Sequence, residues 1–170
     1  MKKENDTIVK KTIRFYGIFA LIICVYIILS VRVISINFVD GNSMSPTVKT
    51  DGIVITNKLV NDYKQFDIVL ASVPNSDGKH NQIAIKRIVA LPNDKLLIKD
   101  GMVYVNGKPL DDYNFDTEDI GICSEEITLK DDEYFLMGDN RSESFDSRFY
   151  GAIKKENMLG KVVKILYKGE

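Results

Sequence analysis

The sequence predicts a mostly-β domain of antiparallel strands preceded by one N-terminal transmembrane helix. Residues 15–31, FYGIFALIICVYIILSV, contain no charge. From residue 53 onward, short runs rich in β-branched residues alternate with turn signals. Asn106-Gly107 lies between two such runs, a strong hairpin signal because both residues tolerate positive φ. A chain of 170 residues has room for one such domain and a short appendage.

The first element is the apolar run. Seventeen helical residues span about 26 Å, and Val33 and Ile34 extend it if Arg32 snorkels. No helical phase offers a polar face, which argues against a buried soluble helix. The run ends in Leu29-Ser30-Val31-Arg32 rather than a small-residue exit, which argues against a removed signal peptide. We therefore expect a basic tail over 1–14, an anchor over 15–36 and an outer domain over 37–170. The tail carries Lys2, Lys3, Lys10, Lys11 and Arg14 against Glu4 and Asp6. Such basic flanks stay cytoplasmic and place the outer domain across the membrane. That domain carries 17 basic and 22 acidic residues, so nothing in its charge favours nucleic acid. Cys24 then lies in lipid and Cys123 outside, which excludes a disulfide between them.

Within the outer domain, strands are expected at Ile53-Val54-Ile55, Phe66 to Val73, Ile83 to Leu91 and Lys95 to Ile98. Met102 to Val105 and Lys108-Pro109-Leu110 flank the hairpin turn. Glu133 to Met137 and Val162 to Tyr167 complete the set. Asn75-Ser76-Asp77-Gly78 reads as a turn. Residues 111–126 are acidic and loop-like, and they lack the ligand spacing of a calcium loop. A short helix is expected only near Lys154 to Met158.

Three stretches carry candidate chemistry. Lys86 and Arg87 are adjacent in a strand, so alternation points them to opposite faces. One of the two must turn toward an apolar side, and the pattern leaves open which. A buried lysine loses pKa and becomes a usable base, and a nearby serine becomes an activated nucleophile. Ser43 lies in Gly41-Asn42-Ser43-Met44-Ser45-Pro46, a constrained turn that is either a plain linker or an exposed nucleophile turn. The third stretch runs from Met137 to Arg148. The single histidine, His80, lies in a polar turn after Asp77-Gly78-Lys79 and suits neither a Ser-His pair nor a multi-histidine metal site.

In combination these stretches resemble the type I signal peptidases, membrane-anchored Ser-Lys proteases. The resemblance covers nearly the whole chain. It rests on the anchor, Ser-Met-x-Pro-Thr at 43–47, Phe66-Asp67-Ile68-Val69, Lys-Arg-x-Val-x-Leu-Pro-x-Asp at 86–94, and Gly-Asp-Asn-Arg-x-x-Ser-x-Asp-Ser-Arg at 138–148. It implies coiled antiparallel β-sheets, Ser43 as nucleophile and Lys86 as general base. Ser144 would orient the amine, with Asp139, Asp146 and Arg148 as support and Arg87 in a structural ion pair. The oxyanion would be held by the Ser43 backbone in the Gly41 region. Position 41 lacks the serine hydroxyl of some relatives, and Asn93 replaces a common glycine. Val39, Met44, Ile83 and Ile85 match substrate-binding positions, where shallow apolar pockets select Ala-x-Ala. The implied partners are preprotein signal peptides, the lipid bilayer and the export machinery nearby, with no metal or cofactor. Two other readings remain at this level: an anchored domain that binds exported chains without cutting them, and a specialised processing protease of the same family. A self-cleaving Ser-Lys repressor would need a DNA-binding domain where the anchor stands.

Overall fold

The computed structural model describes residues 2–110 and 121–167. The expected acidic loop falls largely on Asp111, Asp112, Asp116, Glu118 and Asp119, which lie outside the described residues. The chain divides into two units, Met1–Ser35 and Ile36–Glu170.

The first unit is dominated by helix α1, Lys2–Val33. Among the described residues no helix is long and apolar enough to cross a membrane. The expected transmembrane helix over 15–36 is corrected to that extent. The helix ends at Val33, and Ile34 opens a strand instead of extending it. Its charge-free stretch, residues 15–31, is about 26 Å long against a hydrocarbon core of about 30 Å.

Eleven strands follow among the described residues: β1 Ile34–Phe38, β2 Ile53–Asn57, β3 Ile68–Pro74, β4 Asn81–Ala90, β5 Lys95–Lys99, β6 Met102–Val105, β7 Lys108–Pro109, β8 Ile127–Thr128, β9 Glu133–Met137, β10 Ile153–Lys154 and β11 Met158–Leu166. They form a seven-stranded sheet in the order β1-β2-β11-β3-β4-β9-β10 and a four-stranded sheet in the order β7-β6-β5-β8. The paired strands run antiparallel. The hairpin at Asn106-Gly107 forms with φ of 53° and 75°, the pair of positive angles that a two-residue primed turn demands.

Several boundaries differ from the sequence expectation. β3 starts at Ile68 because Phe66 takes a positive φ of 70° and leaves the strand geometry. β11 starts at Met158, four residues early, because Gly160 sits in an irregularity of the ladder where a side chain would run into Asn57. The helix expected near Lys154 to Met158 is a single 3₁₀ turn at Lys155–Asn157, flanked by strand. A short helix α2, Ser147–Tyr150, was not anticipated. Asp146 caps it by accepting from the Arg148 N–H, and Gly151, at φ 86°, ends it.

β4 is the strand that organises the domain. One core cluster between the two sheets includes Val89, Leu96, Ile98, Phe135 and Met137. A second packs Val69, Ala71, Ile88 and Leu136. A third packs Val39, Met44, Val48 and Val54, with Ile68 and Ile85 against them. β4 contributes to all three, so both of its faces are enclosed over its C-terminal half.

Candidate active site

That enclosure settles the question left open at Lys86 and Arg87: both are buried, at 4% and 6% exposure. Alternation sends them to opposite faces, and each face meets a different partner. Arg87 grips Asp139 through two bonds, Nε to Oδ1 at 2.7 Å and Nη2 to Oδ2 at 2.6 Å, and also donates to the Phe66 carbonyl. Among the described residues Lys86 has no carboxylate within bonding distance. Its Nζ donates to Ser43 Oγ at 2.8 Å. Burial pulls the lysine down from 10.5 to about 8; the Asp146 charge opposes this, and Arg148 adds to it.

The neighbours of β4 explain why this pair stands at a groove. β3 runs along β4 from residue 81 to 87. β9 meets β4 only at Arg87, Ile88 and Ala90. Over residues 81–86 the second edge of β4 therefore carries no neighbouring strand among the described residues. A groove of about 620 Å³ lies there, lined by Ser43, Lys86, Ile83, Ile85, Val39 and Met44. The four positions matched to substrate binding thus share one surface with the serine and the lysine. The groove also uses Ile36 and Phe38 from β1, and Leu70, Glu143 and Phe145. Sequence reasoning missed Ile36 because its apolar character read as the end of the anchor, and Phe38 because no strand was expected before Ile53. The period-2 alternation of Ile34, Ile36 and Phe38 with Ser35 and Asn37 was the available signal.

Ser43 is held by its turn and from across the domain. Val39 and Gly52 close the loop by a backbone bond of 2.9 Å, and Ser45 N–H donates to the Asn42 carbonyl. Gly41 adopts φ 102°, and its N–H donates to Thr50 Oγ1 at 3.2 Å. Met44, 2% exposed, anchors the turn in the third core cluster. From the other side, the Asn140 N–H donates to the Ser43 carbonyl at 3.0 Å.

The segment 138–148 is a buried polar scaffold. Arg148 bonds Asp146 through Nε at 2.8 Å and Nη2 at 3.0 Å, and its Nη2 also reaches the carbonyls of Arg141 and Ser144. Asp146 in turn accepts from the Gly138 N–H at 3.0 Å. Ser144 Oγ is buried and has no hydrogen-bond partner among the described residues; the Lys86 amine is directed to Ser43 instead. Gly138 is the point of closest approach. A Cβ there would overlap Ser144 Oγ and the Ser43 carbonyl oxygen. Gly138→Ala is therefore expected to displace the Ser43 turn. We expect a loss of roughly 1–3 kcal/mol in stability, read by urea unfolding.

His80 lies in an exposed turn, 3.4 Å from Asp77, and does not line the groove. Cys123 is buried, and burial pushes its thiol up to about 12, which leaves it unreactive. Among the described residues no group of His, Cys, Asp and Glu could hold a metal ion.

Comparison with known proteins places this geometry in context. A family model described as signal peptidase, peptidase S26, matches residues 10–167. Signal peptidase I V of Bacillus subtilis (strain 168) is 32% identical over 156 residues, 80% of this chain and 90% of that protein. Signal peptidase I of Bacillus caldolyticus is 34% identical over 156 residues, 82% of this chain and 83% of that protein. The probable signal peptidase I-2 of Synechocystis is 32% identical over 129 residues, and the match spans only 59% of its length. A solved signal peptidase I from Enterococcus faecalis V583 superposes with a TM-score of 0.49 at 27% identity, covering 62% of this chain and 99% of that one.

Proposed function

Because the chain belongs to the signal peptidase family, peptidase S26, we propose that it is a signal peptidase I, a serine endopeptidase that releases signal peptides from exported preproteins with a Ser-Lys dyad. The observation that carries this reading is the 2.8 Å bond between Lys86 Nζ and Ser43 Oγ inside a groove beside an unpaired strand edge.

In the proposed reaction the substrate backbone lies along the free edge of β4 as an added strand. Alternate side chains then face Val39, Leu70, Ile83 and Ile85, and shallow apolar contacts favour small residues of the Ala-x-Ala type. Neutral Lys86 takes the proton of the Ser43 hydroxyl as Oγ bonds to the scissile carbonyl carbon and the C=O π pair moves onto oxygen. The Ser43 N–H faces that oxyanion. The lysine then gives its proton to the departing amine as the C–N bond breaks. A water deprotonated by the same lysine hydrolyses the ester and frees Ser43. In this reading the Ser144 hydroxyl, without a partner among the described residues, accepts the Lys86 amine once Ser43 Oγ is acylated, and Asp139, Asp146 and Arg148 maintain the scaffold.

The pH dependence follows from the amine. A base must be unprotonated, so kcat/KM is expected to rise through pH 8 and level off above it. The sign for stability is the same. The folded lysine releases its proton at about 8 and the unfolded one near 10.5, so the unfolded state binds more protons in between. Stability is therefore expected to increase across that window. Initial rates on an Ala-x-Ala peptide from pH 6 to 10 check the first point; an acidic optimum would contradict the assignment.

Localisation belongs to the same proposal. The described side chains of α1 over residues 11–27 are exposed on every side, the sequence stays charge-free to Val31, and the N-terminal flank is basic. These features support a tether at the membrane with the N-terminus cytoplasmic and the catalytic unit outside, near bilayer and export machinery. Cleavage of a detergent-solubilised preprotein, with the new N-terminus read by mass spectrometry, tests the activity. Carbonate extraction tests the tether.

A further inference from the structure

The turn around Ser43 contains an amide that no step above uses. An oxyanion is usually held by two donors, and the proposed reaction supplies one, the Ser43 N–H. Position 41 cannot supply the second through a side chain. It is glycine, and its φ of 102° lies where L side chains are strained. The Gly41 N–H is itself engaged with Thr50.

Three neutral amide side chains line the groove: Asn37, Asn42 and Gln82. Asn37 is committed to Thr56, with Nδ2 3.5 Å from Oγ1. Gln82 stands four residues before Lys86 on an extended strand, about 13 Å away along the chain. Asn42 remains. It is exposed, it lines the same groove as Ser43 and Lys86, and its carboxamide has no hydrogen-bond partner among the described residues. Its backbone carbonyl is fixed by the Ser45 N–H at 2.9 Å, so the residue is held without constraint on its side chain. Its Cγ is four bonds from the Ser43 nitrogen, which brings Nδ2 into reach of whatever that N–H faces.

Resting on the signal peptidase reading, we infer that Asn42 is a further catalytic residue, whose Nδ2–H donates to the oxyanion beside the Ser43 N–H. It takes over, from the neighbouring position, the donor that glycine at 41 cannot provide. A donor that bonds only the developing charge stabilises the transition state and leaves substrate binding alone.

The test uses the full chain in detergent, an Ala-x-Ala peptide and a peptide aldehyde that forms a tetrahedral adduct on Ser43. Asn42→Ala is expected to lower kcat roughly 10- to 100-fold with KM within about twofold, and to weaken the aldehyde by the same factor as kcat. Asn42→Asp keeps the shape but turns a donor into an anion, so its loss should be at least as large. The alkaline rise should stay in place, since Lys86 is untouched. The inference is overturned if both variants keep kcat within about threefold, or if the loss falls on KM alone. Asn42 is exposed, so both variants should melt with the parent; if one does not, the other decides. Ser43→Ala in the same assay separates the two levels. Persistent cleavage there refutes the protease reading itself, whereas normal Asn42 variants beside an inactive Ser43→Ala refute only the role of Asn42.

Discussion

Ser43→Ala and Lys86→Met are each expected to lower kcat on a peptide substrate by roughly 10⁴-fold or more, with KM little changed. In the proposed reaction the serine supplies the bond-forming oxygen, and among the described residues the lysine is the base bonded to it, at 2.8 Å. Because the two act as a unit, the double variant should be no worse than either single one. Stability separates the two effects. Lys86→Met replaces a buried amine by an apolar chain of similar volume and so should not lower the melting temperature. A Lys86→Met protein that is folded and inactive supports the dyad. Substantial cleavage by either folded variant contradicts it.

The largest expected effect on stability lies in the scaffold. Arg148 is 1% exposed and carries bonds to Asp146, Arg141 and Ser144. Arg148→Met would leave the fully buried Asp146 carboxylate without its counter-charge and strand two carbonyls. Removing one member of such a pair costs about 3–5 kcal/mol, far more than the pair contributes over an apolar substitute. Urea unfolding should show a lowered midpoint with an unchanged slope. Asp146 also receives the Gly138 N–H, so activity should fall with stability. A variant within about 1 kcal/mol of the parent would mean that the network is solvated in solution.

Much of this was legible in the residues. The strands at 53–57 and 81–90 follow from β-branched runs and those at 95–99 and 133–137 from short apolar runs, and the turn at 106–107 from Asn-Gly. The candidate serine and lysine stood out as chemistry-bearing types in constrained or apolar contexts. What failed was of one kind. Residues 34–36 read as the end of the anchor, whereas Ile34–Phe38 is a strand whose Ile36, Asn37 and Phe38 line the groove. Short apolar runs satisfy both periods, and only a partner strand decides between them. Helix α2 was hidden for a related reason: a four-residue helix has no periodicity to read, only a cap at Asp146 and a stop at Gly151.

By itself the sequence determined which reacting groups exist, their order along the chain, and that His80 was the single histidine able to compete with the lysine. Only the tertiary structure decided that Lys86 and Arg87 are both buried, that one meets a serine and the other a carboxylate, and that Gly138 leaves no space behind Ser43. The physical reason is range. Side-chain alternation and turn preference act over a few residues. Desolvation of an amine depends on strands brought from elsewhere in the chain: β3 along one edge of β4, and β9 along only part of the other.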